Sequence, residues 1–480
     1  MKRMMLCATL GLLLLIPAGD TEVMALQAEH ESSFYYAYIA NPTPSNYQLL
    51  RVDPLNPGAT FSAQTLPTPA GHVLEVAKPS PNGGLLALVW GGQGSRIVQI
   101  VDALNGDLIT SVPGKNYANG LPIREQIVWS ANSQFLAFNV EHLNSRFVET
   151  NIYNTQLDQL FYVGYDPETR PPQRLAWSPD SSLLAIGVTH CVDAHCESDV
   201  DFLSRTEFRK ATFAVADVAY IDGNACEMGW SPDSQFFSYL AVCDELSAVH
   251  VHDLFVWNRR LEAVQSVTQL TSPRPIESLQ YFDSRTDYSW VDTQTIMLGY
   301  FTVEFAMRTG YLPDTFETGT QLVDVTTLAS TRLAADAAYE ISPNPVFSTV
   351  AYRAETIALA NEGDKAFTVA LADAEVRIVT LTDQNLDVQL SAPPGCKLSW
   401  SPDGQLLAYV RTPLSTDAIA NCVPETLAFV YPRLNQITEF SPGVSGDIDL
   451  VGWIGSNEQA VSEIDSRFGD PLPNVFPGAG

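Results

Sequence analysis

One short unit recurs through the chain and restricts its architecture more than any other feature. Its clearest copy, residues 400–410 (WSPDGQLLAYV), reads as a strand ending in tryptophan, a tight turn and a second strand running back. Pro402 presets φ for the turn, Asp403 caps it through its side chain, and Gly404 tolerates positive φ. The unit returns at 177–188 (WSPDSSLLAIGV), 230–242 (WSPDSQFFSYLAV) and 129–140 (WSANSQFLAFNV). Looser copies occupy 78–90, 290–301, 340–352 and 451–464. A chain of 480 residues exceeds what one ordinary core supports. Repetition resolves this, because each unit packs on its neighbours.

Two more strands follow each hairpin. In the first unit RIVQIVD (96–102) and DLITSV (107–112) flank Asn105-Gly106, a two-residue hairpin signal. Later units offer third strands at 213–220, 252–258, 320–326, 375–381 and 426–432. Four strands per unit is the arithmetic of a propeller blade. Taking Lys78, Trp129, Trp177, Trp230, Trp290, Glu340, Trp400 and Trp453 as equivalent, the steps run from 48 to 60 residues, so the blades carry loops. The second strands are apolar on both faces, with Leu406, Ala408 and Val410 on one and Leu407 and Tyr409 on the other. That pattern suits a sheet sandwiched between two others.

The fold expected is all-β: one ring-closed propeller over 34–464 with eight blades, or seven if the degenerate units at 290 and 340 are not both blades. The C-terminal unit supplies a first strand at 447–453 and a second at 458–464. The N-terminal strands at 34–40, 47–53 and 59–66 complete that last blade, hiding the sheet edges. Residues 465–480 are a tail.

The WSPDG-plus-apolar-strand unit resembles the TolB-type WD40-like propeller repeat, over nearly all of the chain after its leader. That resemblance implies the propeller fold in an exported binding or scaffolding protein, or in a hydrolase-associated propeller. The chain departs from both patterns. The stretch before residue 34 is too short for the α/β domain that precedes the TolB propeller, and 16 residues after 464 leave no room for a peptidase domain. Fold likeness transfers no activity.

Residues 1–25 read as a signal peptide. Lys2 and Arg3 precede an apolar run of 13 residues, 4–16, and Val23-Met24-Ala25 offers cleavage after Ala25. The run falls short of the roughly 20 residues needed to span a bilayer. Residues 26–33 form a polar lead-in. Net charge is −29, and removal of Lys2, Arg3, Asp20 and Glu22 leaves it unchanged. Such a field repels nucleic acid and anionic membrane surface.

Apart from Cys7, six cysteines remain, an even number in an exported chain. Their offsets from the repeat tryptophan place all six on one face of the ring, with expected pairs Cys226–Cys243, Cys396–Cys422 and Cys191–Cys196. The competing reading of His190, Cys191, His195 and Cys196 is a zinc site. His250 and His252 form a strand-edge pair. Glu197, Asp199, Asp201 and Glu207 form an acidic loop without the calcium-loop spacing. No nucleophile elbow, zinc-protease, P-loop or dinucleotide motif occurs, so no catalytic residue, resident metal or cofactor is assigned. The recurring tryptophans read as inter-blade packing, and Asp180, Asp233 and Asp403 as turn caps.

The function expected is an exported, non-catalytic scaffold that binds a protein, peptide or glycan. Contact would be through the face bearing the longer loops at 189–211, 302–318, 353–374 and 411–424. Phe301, Phe305, Tyr311 and Phe316 are candidate binding aromatics there. The alternative is a propeller hydrolase or lyase acting on envelope or extracellular polymers. Carboxylates or histidines converging in the central channel would mark it.

Overall fold

In the computed structural model the described residues are 34–43, 46–54, 56–57, 63–92, 94–115, 127–139, 149–164, 174–191, 202–210, 219–222, 226–240, 254–268, 279–306, 313–361, 367–381, 386–412, 426–441 and 447–455. They form eight four-stranded antiparallel sheets. In chain order, blades 1–7 span 73–115, 127–164, 175–222, 226–266, 279–334, 337–392 and 395–440. Blade 8 joins the chain ends: Asp447–Ile454 pairs with Tyr35–Thr43, with Tyr36 opposite Trp453. The units at 290 and 340 are complete blades.

First strands of neighbouring blades touch one another, which places them innermost around the axis. Fourth strands are outermost and carry the exposed apolar residues Leu108, Ile109, Tyr162, Tyr220, Val264 and Val388. The core is divided into one apolar interface per pair of adjacent blades. On the second strand of blade 7, Leu407 and Tyr409 pack against blade 6. Ala408 and Val410 on the same strand, with Leu406 just before it, pack against blade 8. Ring closure has the same form, with Ala37 and Ile39 of blade 8 against Leu86, Leu88 and Trp90 of blade 1.

The polar residues of the recurring turn are tied together by hydrogen bonds. The serine hydroxyl donates to the Asp or Asn two residues on, at 2.5 Å for Ser401 to Asp403. Its oxygen accepts the N–H five residues on, at 3.0 Å from Leu406. Asp403 in turn accepts from the N–H of Gln405. The fifth position is left-handed in Gly83, Ser133, Ser181, Ser234 and Gly404. Where it is serine, its hydroxyl oxygen accepts the turn N–H of the preceding blade, as Ser234 does from Asp180 at 2.9 Å. The tryptophan also reaches back one blade: Trp453 Nε1 donates to the Ser399 carbonyl and Trp400 Nε1 to the Ser342 carbonyl.

Four expectations need correction. First, Tyr35–Thr43 lies between Asp447–Ile454 and Asn46–Val52, so it fills the place assigned to 458–464. The C-terminus therefore gives blade 8 one strand and the N-terminus three, the last described over Ala63–Thr65; 458–464 lies outside the described residues. Second, the third strand of blade 3 is Phe202–Lys210 rather than 213–220. Third, Pro79 and Pro343 hold the tryptophan position in place of Lys78 and Glu340. Ser80 N to Leu85 O and Asn344 N to Thr349 O repeat the Ser401-to-Leu406 bond. Fourth, much of the supposed loop sequence is paired strand. Thr295–Ala306 pairs with Pro313–Asp324, and Thr349–Asn361 with Phe367–Leu381. Thr189–Cys191 likewise pairs with Phe202–Ser204.

Gly299 is required by contact between blades. A Cβ there would stand 1.7 Å from the Ala338 carbonyl oxygen of the next blade. Gly299→Ala is expected to lower stability by about 1–3 kcal/mol, because a backbone carbonyl cannot yield as a side-chain tip does; the urea midpoint measures it. A second expectation concerns alkaline pH. Burial pushes the Tyr38, Tyr153 and Tyr409 hydroxyls up from 10.0 to about 12, helped at Tyr153 by Asp158. The folded values exceed the unfolded one, so this stability is complete below pH 10 and is lost as pH rises from 10 to about 12. Tyrosinate absorbance of these residues should appear together with unfolding, not before it.

Candidate functional site

Antiparallel pairing gives the ring two unlike sides. The serine–proline turns sit where first strands end. On the other side first strands begin, and second strands hand over to third strands. The hairpins of blades 3, 5 and 6 are lengthened on that loop side. In blade 6, Ala337 pairs with Glu355, and Thr356–Asn361 continues past it, paired only with the third strand.

Of the binding aromatics, Phe301 is 7% exposed and packs with Ala337, Tyr339 and Ile357 of blade 6. Phe316 is half-buried against that cluster. These two rings fill an inter-blade seam. Phe305 lies in a described strand, and Tyr311 is outside the described residues. His190 and Cys191 end the second strand of blade 3. His195, Cys196, Cys243 and Cys422 lie outside the described residues, as do Glu197, Asp199, Asp201, His250 and His252. Glu207 is no loop ligand: it is a buried strand residue paired with Arg209 at 2.6 Å. Cys226 opens the first strand of blade 4. Cys396 is buried and disulfide-bonded. Among the described residues no group of three or more histidines, cysteines or carboxylates has the arrangement of a metal site.

At the axis the structure assembles residues that the repeat had concealed. Three positions before the tryptophan position, blades 3 to 7 carry Arg174, Glu227, Asp287, Glu340 and Lys397. Glu227, Glu340 and Lys397 have positive φ, at bulges that interrupt the pairing of first and second strands. The Glu340 N–H donates to the Asp287 carboxylate of the preceding blade, and the Lys397 N–H donates to the Glu340 carboxylate. The Tyr288 hydroxyl donates to the Glu227 carbonyl. Glu340 also pairs with Arg353 at 3.0 Å, and Arg353 with the buried Glu355 at 2.6 Å.

Carboxylates therefore gather near the axis, the arrangement set out above as a mark of the enzyme alternative. Asp287 and Glu340 nonetheless use oxygens on inner-strand N–H groups, which would otherwise face the axis without sheet partners. Their chemistry is that of clamps between blades. A sequence signal for them exists: one register position is charged in five successive repeats.

Beside this row lies a cavity of about 770 Å³. Lys78 of blade 1 and Val128 of blade 2 line one part, and Arg174, Leu175 and Pro179 of blade 3 follow. Blade 4 adds 227–230 and Pro232, and blade 5 adds Tyr288, Ser289 and Trp290. Blades 1 and 5 are opposite in an eight-membered ring, so the cavity crosses the axis. Lys78 Nζ is anchored there by donating to the Ile127 carbonyl at 2.8 Å.

Comparison with known proteins speaks to fold alone. No protein-family model matches the chain, and no curated protein matches its sequence. Among solved structures it is similar to TolB from Acinetobacter baumannii, at 12% identity and a TM-score of 0.31, covering 76% of this chain and 80% of that one. An oligogalacturonate lyase from Vibrio parahaemolyticus gives 11%, 0.40, 84% and 86%. The propeller domain of the Trilobed protease from Pyrococcus furiosus gives 10%, 0.39, 77% and 97%. The protein is an eight-bladed β-propeller, and likenesses this distant carry nothing further.

If the axial carboxylates act as clamps, Glu340→Ala should lower stability by about 1–3 kcal/mol, by stripping the Lys397 N–H and Arg353 of an acceptor. Glu340→Gln, whose amide oxygen still accepts, should cost less than half of that. Chemical denaturation of the two variants beside the parent measures the difference.

Proposed function

We propose that the chain is an exported, TolB-like propeller scaffold that binds a protein, peptide or glycan through its loop side. One observation supports this reading above others: hairpins of blades 3, 5 and 6 lengthened on one side only. Thr356–Asn361 extends past the first strand of its blade, paired only with the third. It presents a rigid surface, the setting in which binding segments are commonly held. Export rests on the basic-then-apolar leader, with Leu26 as the expected mature N-terminus, and disulfide-bonded Cys396 is consistent with it. Cys422 is the proposed partner of Cys396, and Cys226–Cys243 and Cys191–Cys196 are the remaining pairs.

The test removes the projections and keeps the ring. Deleting 304–315 and 358–370, each closed by Asn-Gly, should leave circular dichroism and the unfolding midpoint of the ring unchanged. The variant should lose the envelope proteins or glycans that the intact mature chain retains on a column and on a glycan array. Retention of every such ligand by the shortened chain would overturn the loop-side assignment. Non-reducing peptide mapping of the secreted protein should find the three pairs, and free thiols at these positions would remove them.

A further inference from the structure

The axial cavity is a separate place from the loop side, and its lining has a chemistry of its own. Acidic residues outnumber basic ones 55 to 26 across the chain. In the cavity the ratio is reversed, with Lys78 and Arg174 against Glu227. The remaining wall is largely apolar, including Val128, Leu175, Met228 and the edges of Trp230 and Trp290. We propose that this cavity binds an amphiphilic organic anion: a carboxylate, sulfonate or phosphate head on an aromatic or aliphatic body.

Three features support that class. The volume of about 770 Å³ is that of a site for a molecule of drug size. The charged groups come from three blades, the cations from 1 and 3 and the carboxylate from 4, so a net positive charge is set in an otherwise largely apolar wall. A head group near Lys78 and Arg174 meets charge in a partly desolvated setting, where Coulomb attraction is less screened than in water. Lys78 is already held in place by the Ile127 carbonyl, so little order is lost when an anion arrives. The apolar wall then receives the body of the ligand, whose transfer from water is favourable. An inorganic anion lacks that body, and a neutral lipophile lacks the head.

Anilinonaphthalene sulfonate is a suitable probe, and uncharged N-phenylnaphthylamine is its control. The folded mature chain should bind one sulfonate dye, with energy transfer from the tryptophans at the cavity wall. Arg174→Gln should weaken it about ten-fold, the scale of one charge-assisted hydrogen bond. Glu227→Gln should tighten it about three-fold or more, since it removes the repelling carboxylate. This second variant keeps the proposal falsifiable if the first folds poorly, because Tyr288 bonds the Glu227 carbonyl rather than its side chain. Neither change should move the affinity of the neutral dye. Equal affinity for both dyes, or a sulfonate affinity indifferent to Glu227→Gln, would overturn the assignment. The hairpin deletions should leave dye binding intact, so failure here and failure of the loop-side reading are told apart.

Discussion

Everything in this structure depends on each sheet having two apolar faces and no way to bury either alone. Blade 7 shows the constraint most plainly: successive residues of its second strand, from Leu407 to Val410, belong alternately to two different interfaces. A sheet of that kind is stable only between two others. A row of such sheets must then close or leave an apolar face at each end. Closure is achieved by Tyr35–Thr43 pairing with Asp447–Ile454, so the last interface is made of the same aliphatic contacts as the rest. Stability therefore accrues interface by interface, as in other repeat proteins, but without terminal caps.

Hydrophobic contact does not set the angle or register between blades, and the polar part of the repeat does. The indoles of Trp129, Trp230, Trp400 and Trp453 donate to carbonyls of the preceding blade's inner strand, while the fifth-position serine receives that blade's turn N–H. These bonds run at two heights along the axis, so neighbouring sheets cannot slide past one another without breaking both. Ser130, Ser178, Ser231 and Ser401 are wholly buried, which makes each an expensive group to leave unpaired. Their recurrence is thus a packing requirement as strict as that of the tryptophans.

The repeat made the fold legible, since tryptophan, serine and the apolar second strand all serve every interface. It failed where a blade solves the same problem with other residues. Pro79 and Pro343 fill the tryptophan position without an indole, so a reading anchored on lysine or glutamate slipped by one residue. That slip took Glu340 out of the charged row, whose other members at 174, 227, 287 and 397 each stand three residues before a tryptophan. The hairpins of blades 5 and 6 were misread for another reason. Thr295–Ala306 and Thr349–Asn361 are 12 and 13 residues long, so their far ends lie well past the turn unit from which the strands were read. Phe301, on the second strand of blade 5, is buried against blade 6 in that seam.

The axis brings these threads together. Inner strands of a ring leave backbone N–H groups pointing at a channel, where water or side chains must satisfy them. In blades 5 to 7 that need is met by Asp287 and Glu340, each supported by a left-handed residue that turns the next N–H toward it. Carboxylates used this way draw negative charge to one half of the channel. Lys78, bonded to the Ile127 carbonyl, and Arg174 line the cavity with Glu227 and a largely apolar wall. One register position thus has two uses around the ring: across blades 5 to 7 its side chains clamp neighbouring inner strands, and in blades 3 and 4 Arg174 and Glu227 line the cavity.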